Sequence, residues 1–493
     1  MYMYCAKLWI ILFSLCFSCQ LFAEKYNVLF ISADDLNTDL GCYGVKQVKT
    51  PHIDRLAGLG VRFDRAYCQQ ALCGPSRASV MTGLRPNTSG FVWLKDDLRQ
   101  LMPDVVTLSQ FFKNKGYYSG RVGKIYHYGN PKEIGTNGRD DALSWTERFN
   151  PYGIDRSQEE KITVYPKSRQ GKGLGISMAW WDPLSEDTDH TDGKVASKAI
   201  EMIERNKDKP FFIAAGFFNP HCPYVAPKKY FDLYPLEEIE MQPLEEAKKE
   251  LSGVPKMALL RDGKNWPFYF DGVTLEEARK CKQAYYATVS FLDAQVGRLL
   301  DCLEKNKLMD KTIIVFWSDH GYFLGEKGLW YKRKNFERSV RAPLIIAGPG
   351  ISTKGNCFSP VEFVDMYPTI VDHAGFEIPQ GLDGVSLRPL LKNPDADWDR
   401  PAISQVHYNP KQQGYSIRTK RWRYTEWNNG EEGRELYDHD NDPHEKTNLA
   451  LNPEHAELIK KLSARVQQYS SSYKAHTPPQ VGEMELEIFK KKK

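Results

Sequence analysis

Short, nearly unbroken apolar runs alternate along this chain with longer stretches in which apolar residues recur every three or four positions. The runs are Asn27–Ser32, Tyr117–Val122, Phe211–Gly216, Thr312–Trp317 and Leu344–Ala347. Runs of this length without polar alternation predict strands covered on both faces, as in a parallel sheet between helices. Helical spacing fills the intervals: around His52–Gly58, from Ser76 onward, over Val105–Lys115 with Val106, Leu108, Phe111 and Phe112 on one face, over Val195–Asn206, and near Val361–Ala374. A further helix starts at Thr274, where Glu277 completes a T-x-x-E capping box, and Tyr285, Val289, Leu292, Val296, Leu299, Leu300 and Leu303 carry its apolar face. Strand, polar end, helix and strand thus recur through residue 317, which predicts an α/β architecture.

After Pro401 the pattern changes to short strand candidates, Gly414–Arg418, Trp422–Trp427 and Glu435–Asp438, then a helix over Pro453–Tyr469 and a polar tail ending in Lys490–Lys493. The expected division is a large domain over 24–395 and a smaller C-terminal subdomain with its tail over 396–493. Two stretches, 128–190 and 222–273, show weak periodicity and many prolines or glycines, and read as surface excursions. The Trp180-Trp181 pair is expected to wall a cleft there, and with Trp93 in an earlier loop it favours a carbohydrate substrate. The lysine tail reads as a solvated end.

Composition changes this picture little, except at the N-terminus. At 493 residues, 41% hydrophobic and 26% charged, the chain suits a globular protein with a large core. A net charge of +4 is too weak to argue for nucleic acid as a partner. Residues 1–23 read as a secretory leader, with Lys7 in the n-region, an apolar Leu8–Phe22 stretch and a cleavage site after Ala23. The apolar stretch is too short and interrupted for a membrane span, so the mature chain is expected to be periplasmic or secreted. Beyond the leader stand Cys42, Cys68, Cys73, Cys222, Cys281, Cys302 and Cys357. An odd number in an exported protein leaves at least one thiol to be explained, and the spacing dictates no pairing for the rest.

The candidate chemistry sits at strand ends, where ligands bind in open α/β sheets. Asp34-Asp35 follows the first strand, Lys124 and His127 the second, His221 the third and Asp319-His320 the fourth, with Lys332 a little beyond. Singly, each has a plain structural reading: an aspartate caps a helix, a histidine packs. Their recurrence at one position in successive units argues for one pocket. Three carboxylates suit a hard divalent cation such as Ca²⁺ or Mg²⁺, and the lysines and histidines suit a tetrahedral oxyanion. Cys73-Gly74-Pro75-Ser76-Arg77 adds a cysteine just outside a helix N-terminus, with Pro75 in the first turn and Arg77 supplying fixed positive charge. A buried structural cysteine is the alternative for so short a motif.

The run from Cys73 through Pro75-Ser76-Arg77 to Thr82-Gly83 resembles the sulfatase signature, and Gly116–His127 resembles the family's second signature. Val28–Asp35 and Ser318–Gly321 look like its two metal-binding strand ends, while Gly123–His127, Asn219–Pro223, Asp319–Gly325 and Gly414–Thr419 resemble the iduronate-2-sulfatase-like branch. The resemblance implies an alkaline-phosphatase-like α/β sandwich: a large, mixed, mostly parallel sheet between helices, plus a C-terminal α+β subdomain with a short antiparallel sheet. It implies that a formylglycine-generating maturation enzyme oxidises Cys73 to formylglycine (3-oxoalanine), whose hydrate attacks sulfur. One Ca²⁺ would be held by Asp34, Asp35, modified Cys73, Asp319 and His320. Arg77 would stabilise the hydrate, Lys124, His221 and Lys332 would bind sulfate, His221 or Lys332 would protonate the leaving alcohol, and His127 would act as base in releasing sulfate. The implied substrate is a sulfated oligo- or polysaccharide, a glycosaminoglycan or an algal uronate-containing polysaccharide. The rival readings are a phosphoester or phosphonate hydrolase of the same superfamily, and a non-catalytic sulfated-glycan-binding protein that leaves Cys73 unmodified.

Overall fold

A computed structural model describes residues 25–165, 173–261, 264–265, 273–351 and 354–472. The expected leader and the lysine tail lie outside the described residues, as does part of the 222–273 stretch. Eight strands form the main sheet: β1 (Asn27–Ala33), β2 (Gly60–Phe63), β3 (Tyr118–Gly123), β4 (Glu147–Phe149), β5 (Phe211–Gly216), β6 (Thr312–Ser318), β7 (Leu344–Ala347) and β8 (Gly355–Cys357). Their spatial order is β8-β2-β7-β6-β1-β5-β3-β4, and only β7 runs antiparallel to its neighbours. Four adjacent strands, β6-β1-β5-β3, are the four apolar runs whose polar ends carry the candidate site.

Alternate residues of β1 show why those runs lack polar positions. Val28 and Phe30 enter one buried cluster while Leu29, Ile31 and Ala33 enter another on the opposite face. One layer is made by helices Thr191–Asn206 and Leu275–Lys305, the other by Cys73–Thr82, Leu108–Asn114 and Met366–His373. The capping box at Thr274 and Glu277 is formed as its sequence predicts, and the helix it starts runs for 31 residues across the sheet. Helix Leu108–Asn114 is shorter than its periodicity predicts because Thr107 caps it, accepting from the Gln110 N–H at 3.3 Å.

The 128–190 stretch is not wholly an excursion. Glu147–Phe149 adds a parallel edge strand to the main sheet, and Ala179–Trp181 joins a small three-stranded sheet. In the C-terminal part, Ala402–Asn409, Gln412–Arg418, Trp422–Trp427 and Arg434–Asp438 form an antiparallel four-stranded sheet, with helix Ala456–Ser470 packed on it. The first of these strands was missing from the sequence pattern. This sheet also packs on the main body through Val406, Tyr408, Trp427 and Tyr437 against Phe323, Leu329 and Phe336. Among the described residues no helix is long and apolar enough to cross a membrane.

Candidate active site

Register brings the four strand ends level. Gly123 faces Gly216 across β3 and β5, Ser32 faces Gly216 across β1 and β5, and Ala33 faces Ser318 across β1 and β6. The residues that follow therefore emerge side by side at one edge of the sheet. Two glycines permit this crowding: Gly123 takes φ +74°, and a Cβ on Gly216 would meet the Lys124 carbonyl oxygen at 2.0 Å. His221 arrives after a turn that Asp192 holds, its two carboxylate oxygens accepting from the Phe218 and Asn219 N–H groups at 2.9 Å each. Burial pushes the Asp192 carboxyl up to about 7.

Cys73 opens the helix rather than standing just outside it, as the sequence predicts. The helix spans Cys73–Thr82, with Leu72 extended before it, because the Ser76 N–H already reaches the Leu72 carbonyl at 3.0 Å. Pro75 still lies in the first turn, where its missing N–H costs nothing. One turn on, Arg77 is fully buried and directs its donors to five oxygens within 3.2 Å: Asp319 Oδ2 at 3.0 Å, the carbonyls of Lys124, Ile125 and Ala33 at 3.0, 3.1 and 2.9 Å, and Asp34 Oδ1 at 3.2 Å, with Ser32 Oγ farther off at 3.5 Å. Three strand ends are thereby tied to the cysteine helix by one guanidinium.

A carboxylate oxygen of Asp35, Cys73 Sγ, a carboxylate oxygen of Asp319 and an imidazole nitrogen of His320 all lie within 4.8 Å of one another, and all four residues are buried. His320 Nδ1 donates to the Gly321 carbonyl at 2.9 Å, which turns Nε2 towards Cys73 Sγ at 3.4 Å and Asp35 Oδ1 at 3.4 Å. One imidazole nitrogen and two carboxylates fit a hard divalent cation. Asp34 stands apart from this group: Arg77 donates to one of its oxygens and the Lys124 ammonium to the other.

Three carboxylates, Asp34, Asp35 and Asp319, face three fixed cations, Arg77, Lys124 and Lys332. Burial alone would push the carboxyls up. Lys124 reverses this at Asp34, His221 and Lys332 at Asp35, and His320 and Arg77 at Asp319, so all three titrate below the usual carboxylate range. Lys332 bonds Asp35 Oδ2 at 2.7 Å, and His221 Nε2 lies 3.6 Å from the same oxygen, its Nδ1 donating to the Cys222 carbonyl at 2.6 Å. Burial pushes the Cys73 thiol well above its ordinary value, and the surrounding carboxylates add to this. Burial, with the nearby Lys124 charge, holds His127 well below 6.5.

These groups open into a cavity of about 650 Å³, onto which Cys73, His127, His221 and Lys332 face. All ten sequence-predicted site residues thus come to one edge of the sheet. The predicted aromatic wall does not hold. Trp93 is buried edge-on against His407, Trp180 lies under Lys280 at 4.2 Å, and Trp181 pairs beside Val225 in the small sheet. The aromatic side chains lining the cavity are instead Tyr128, Trp330, Tyr331 and Tyr408. The seven cysteines of the described residues are all free, so no pairing sets Cys73 apart by arithmetic. Asp192 and Ser76, whose hydroxyl bonds the Asp319 carbonyl, had no sequence signal as site-holding groups.

The mostly parallel α/β sheet, with carboxylates and cations gathered at its carboxyl edge, is of the alkaline-phosphatase-like kind found in sulfatases. The sulfatase family model matches residues 26–376, and that for the C-terminal part of N-sulphoglucosamine sulphohydrolase matches residues 325–472. A sulfatase of Formosa agariphila is 33% identical over 92% of this chain and 89% of its own length. Iduronate 2-sulfatase of Mus musculus is 32% identical over 89% of this chain and 93% of its own. Among solved structures, one in complex with its substrate D-glucosamine-2-N,6-O-disulfate has a TM-score of 0.69 at 25% identity, covering 92% of this chain and 99% of that one. A phosphonate monoester hydrolase from Silicibacter pomeroyi shares the fold, with a TM-score of 0.72 at 22% identity over 92% and 96% of the two chains. The chain belongs to the sulfatase family and is a sulfuric ester hydrolase.

Proposed function

We propose that this chain is an exported sulfatase of the iduronate-2-sulfatase-like branch that releases sulfate from a sulfated carbohydrate, either a glycosaminoglycan or an algal polysaccharide. The observation that carries the reading is the buried group of Asp35, Cys73, Asp319 and His320, opening beside Lys332 and His221 into a cavity large enough for sugar rings. The similarity to iduronate 2-sulfatase supports the branch, and the structure in complex with D-glucosamine-2-N,6-O-disulfate supports a sugar substrate. Residues 1–23 act as a cleaved leader to the periplasm or exterior, residues 24–395 as the catalytic domain and residues 396–493 as the C-terminal subdomain and tail.

A maturation enzyme would convert Cys73 to formylglycine, and one Ca²⁺ per chain would be held by Asp34, Asp35, Asp319, His320 and the modified side chain. The hydrated aldehyde supplies a hydroxyl nucleophile, and the cation a Lewis acid for the sulfate oxygens. The chain's own groups do the rest. Arg77, locked by its five oxygens, fixes the helix turn from which position 73 faces the cavity. Lys124 and Lys332, anchored on Asp34 and Asp35, hold positive charge against sulfate. His221 or Lys332 gives a proton to the leaving sugar oxygen. His127 takes the proton of the second hydroxyl as sulfate departs.

Mass spectrometry of the peptide spanning Cys73, from protein made in its native host, is expected to show the aldehyde in place of the thiol. An unmodified thiol with no sulfate release would favour the glycan-binding reading. Paired aryl sulfate and aryl phosphate substrates are expected to give the higher kcat/KM on sulfate, and the reverse order would move the chain to the phosphoester and phosphonate hydrolases.

His127 makes the pH profile informative. A base held well below 6.5 stays neutral until the pH falls through that depressed value. The acid limb of log kcat is therefore expected below pH 6.5, and His127→Asn is expected to lower kcat by about 10²–10⁴-fold. An acid limb above pH 6.5 that disappears in His127→Asn would contradict the burial argument.

A further inference from the structure

The residue on which the site converges is in an unusual conformation. Asp35 takes φ +64°, the left-handed region that non-glycine residues rarely enter, and its carboxylate is shared by Lys332, His221 and His320. Such a backbone persists only where its surroundings over-determine it. Beside the bonds of the Asp35 N–H to Asp319 Oδ1 at 3.1 Å and of the Leu36 N–H to Ser318 Oγ at 2.9 Å, two hydrogen bonds from one side chain contribute to this. Tyr285, fully buried on the helix Leu275–Lys305, donates its hydroxyl to the Asp35 carbonyl at 2.8 Å and accepts from the Asn37 N–H at 2.9 Å. The single oxygen thus spans the left-handed turn from both sides. The ring is held in turn: it stacks on Tyr322 at 5.6 Å, and Tyr322 meets Tyr331 edge-on at 6.0 Å. Tyr331 is itself left-handed, with φ +72°, and immediately precedes Lys332. The aromatic column therefore joins the two strained turns that bring the Asp35 carboxylate and the Lys332 ammonium together.

We propose that Tyr285 is a positioning residue of the active site, its hydroxyl locking the Asp35 turn so that the carboxylate is preorganised for the cation and for Lys332. The inference rests on the reading of Asp35 as a cation-holding carboxylate. Tyr285→Phe keeps the ring and its stacking and removes only the oxygen, leaving the Asp35 carbonyl and the Asn37 N–H unpaired in a buried turn. The Asp35 and Leu36 N–H groups keep their bonds to Asp319 and Ser318, but the carbonyl side of the turn loses its anchor and the carboxylate shifts relative to its partners.

The test uses the full chain with its modified Cys73 and titrates Ca²⁺ by calorimetry. Tyr285→Phe is expected to weaken Ca²⁺ binding by about tenfold or more, and to lower kcat at saturating Ca²⁺ by about 10–100-fold with KM within threefold of wild type. The control is Tyr234→Phe, which removes another buried hydroxyl beside the same helix: it accepts from Lys49 N–H at 2.9 Å and pairs with Ser290 Oγ at 2.5 Å, with no contact to the Asp35 turn. Tyr234→Phe is expected to keep wild-type affinity and kcat. Wild-type behaviour of Tyr285→Phe, or equal losses in the two variants, would overturn the proposal. A wild-type chain that turns over but takes up no Ca²⁺ would instead remove the cation reading, and Tyr285 would then stand or fall on kcat. Should Tyr285→Phe not fold, hydrogen exchange of the wild-type Asn37 amide decides: protection like that of β1 supports the lock, and rapid exchange refutes it.

Discussion

Cys73→Ala is expected to lower kcat by at least about 10⁴-fold while leaving the fold in place, because on the proposed mechanism the group lost is the precursor of the nucleophile and nothing beside it can substitute. The side chain is 2% exposed, and the thiol is neutral at physiological pH because burial raises its titration well above the ordinary value. Removing it strands no charge. The structural loss is that of one small buried hydrophobe, about 1 kcal/mol. The nearest hydroxyl on the same helix, Ser76, is committed to the Asp319 carbonyl and is fully buried. Turnover of purified variant and wild type on one aryl sulfate, with circular dichroism and a melting curve beside it, checks both halves. Activity within tenfold of wild type would refute the assignment of the nucleophile, and an unfolded variant would refute the packing argument.

Arg77→Ala is expected to have the largest effect on stability, together with loss of turnover. The guanidinium is completely buried and paired with Asp34 and Asp319, themselves completely buried. Truncation leaves carboxylates and three backbone carbonyls without their shared donor. Breaking such a pair from one side typically costs about 3–5 kcal/mol, because the partner charge stays buried. Arg77→Lys separates charge from geometry. It keeps the positive charge, but a single ammonium cannot reach five oxygens spread over the ends of β1, β3 and β6. The lysine variant is therefore expected to fold with roughly half the alanine penalty and still lose about 10²–10³-fold in kcat, since the turn carrying position 73 is no longer fixed. Urea denaturation and turnover of the three proteins measure this. Wild-type stability in Arg77→Ala would mean that the buried carboxylates have other partners, and wild-type kcat in Arg77→Lys would mean that charge alone suffices.

The two variants separate roles that the sequence runs together. Cys73 and Arg77 lie in one motif, yet on the proposed mechanism one is chemistry and the other architecture. The motif identifies both residues without giving the five oxygens around Arg77, because those oxygens come from segments 43 to 242 residues away. Stability and activity also meet at Asp34. Its two oxygens are taken by Arg77 and Lys124, so it neutralises the cradle from behind while Asp35 faces the Cys73 group.

What the sequence determined by itself was set by local physics. Apolar runs without alternation gave β1, β3, β5 and β6, since a strand covered on both faces has no place for polar residues. The T-x-x-E box placed the start of the long helix to the residue, because capping is a contact within one turn. Polar residues just past each strand were legible as site candidates, since a parallel sheet gathers its carboxyl ends along one edge.

Tertiary structure alone decided what depends on partners distant in sequence. The tryptophans looked like a cleft wall because aromatic loops often are one, but Trp180 and Trp181 belong to a strand whose neighbours set their faces. Ala402–Asn409 went unseen because much of what buries it is its pairing with Gln412–Arg418 and its bridge to Gln70, not a local pattern. Tyr285 read as one more apolar position on a helix. Only the approach of the Asp35 turn, 250 residues away, gives its hydroxyl something to hold. The sequence by itself marked the candidate residues for the chemistry and the edge on which they lie. The fold decided which of them are locked, and by what, because a hydrogen bond across the molecule leaves no periodicity in the chain.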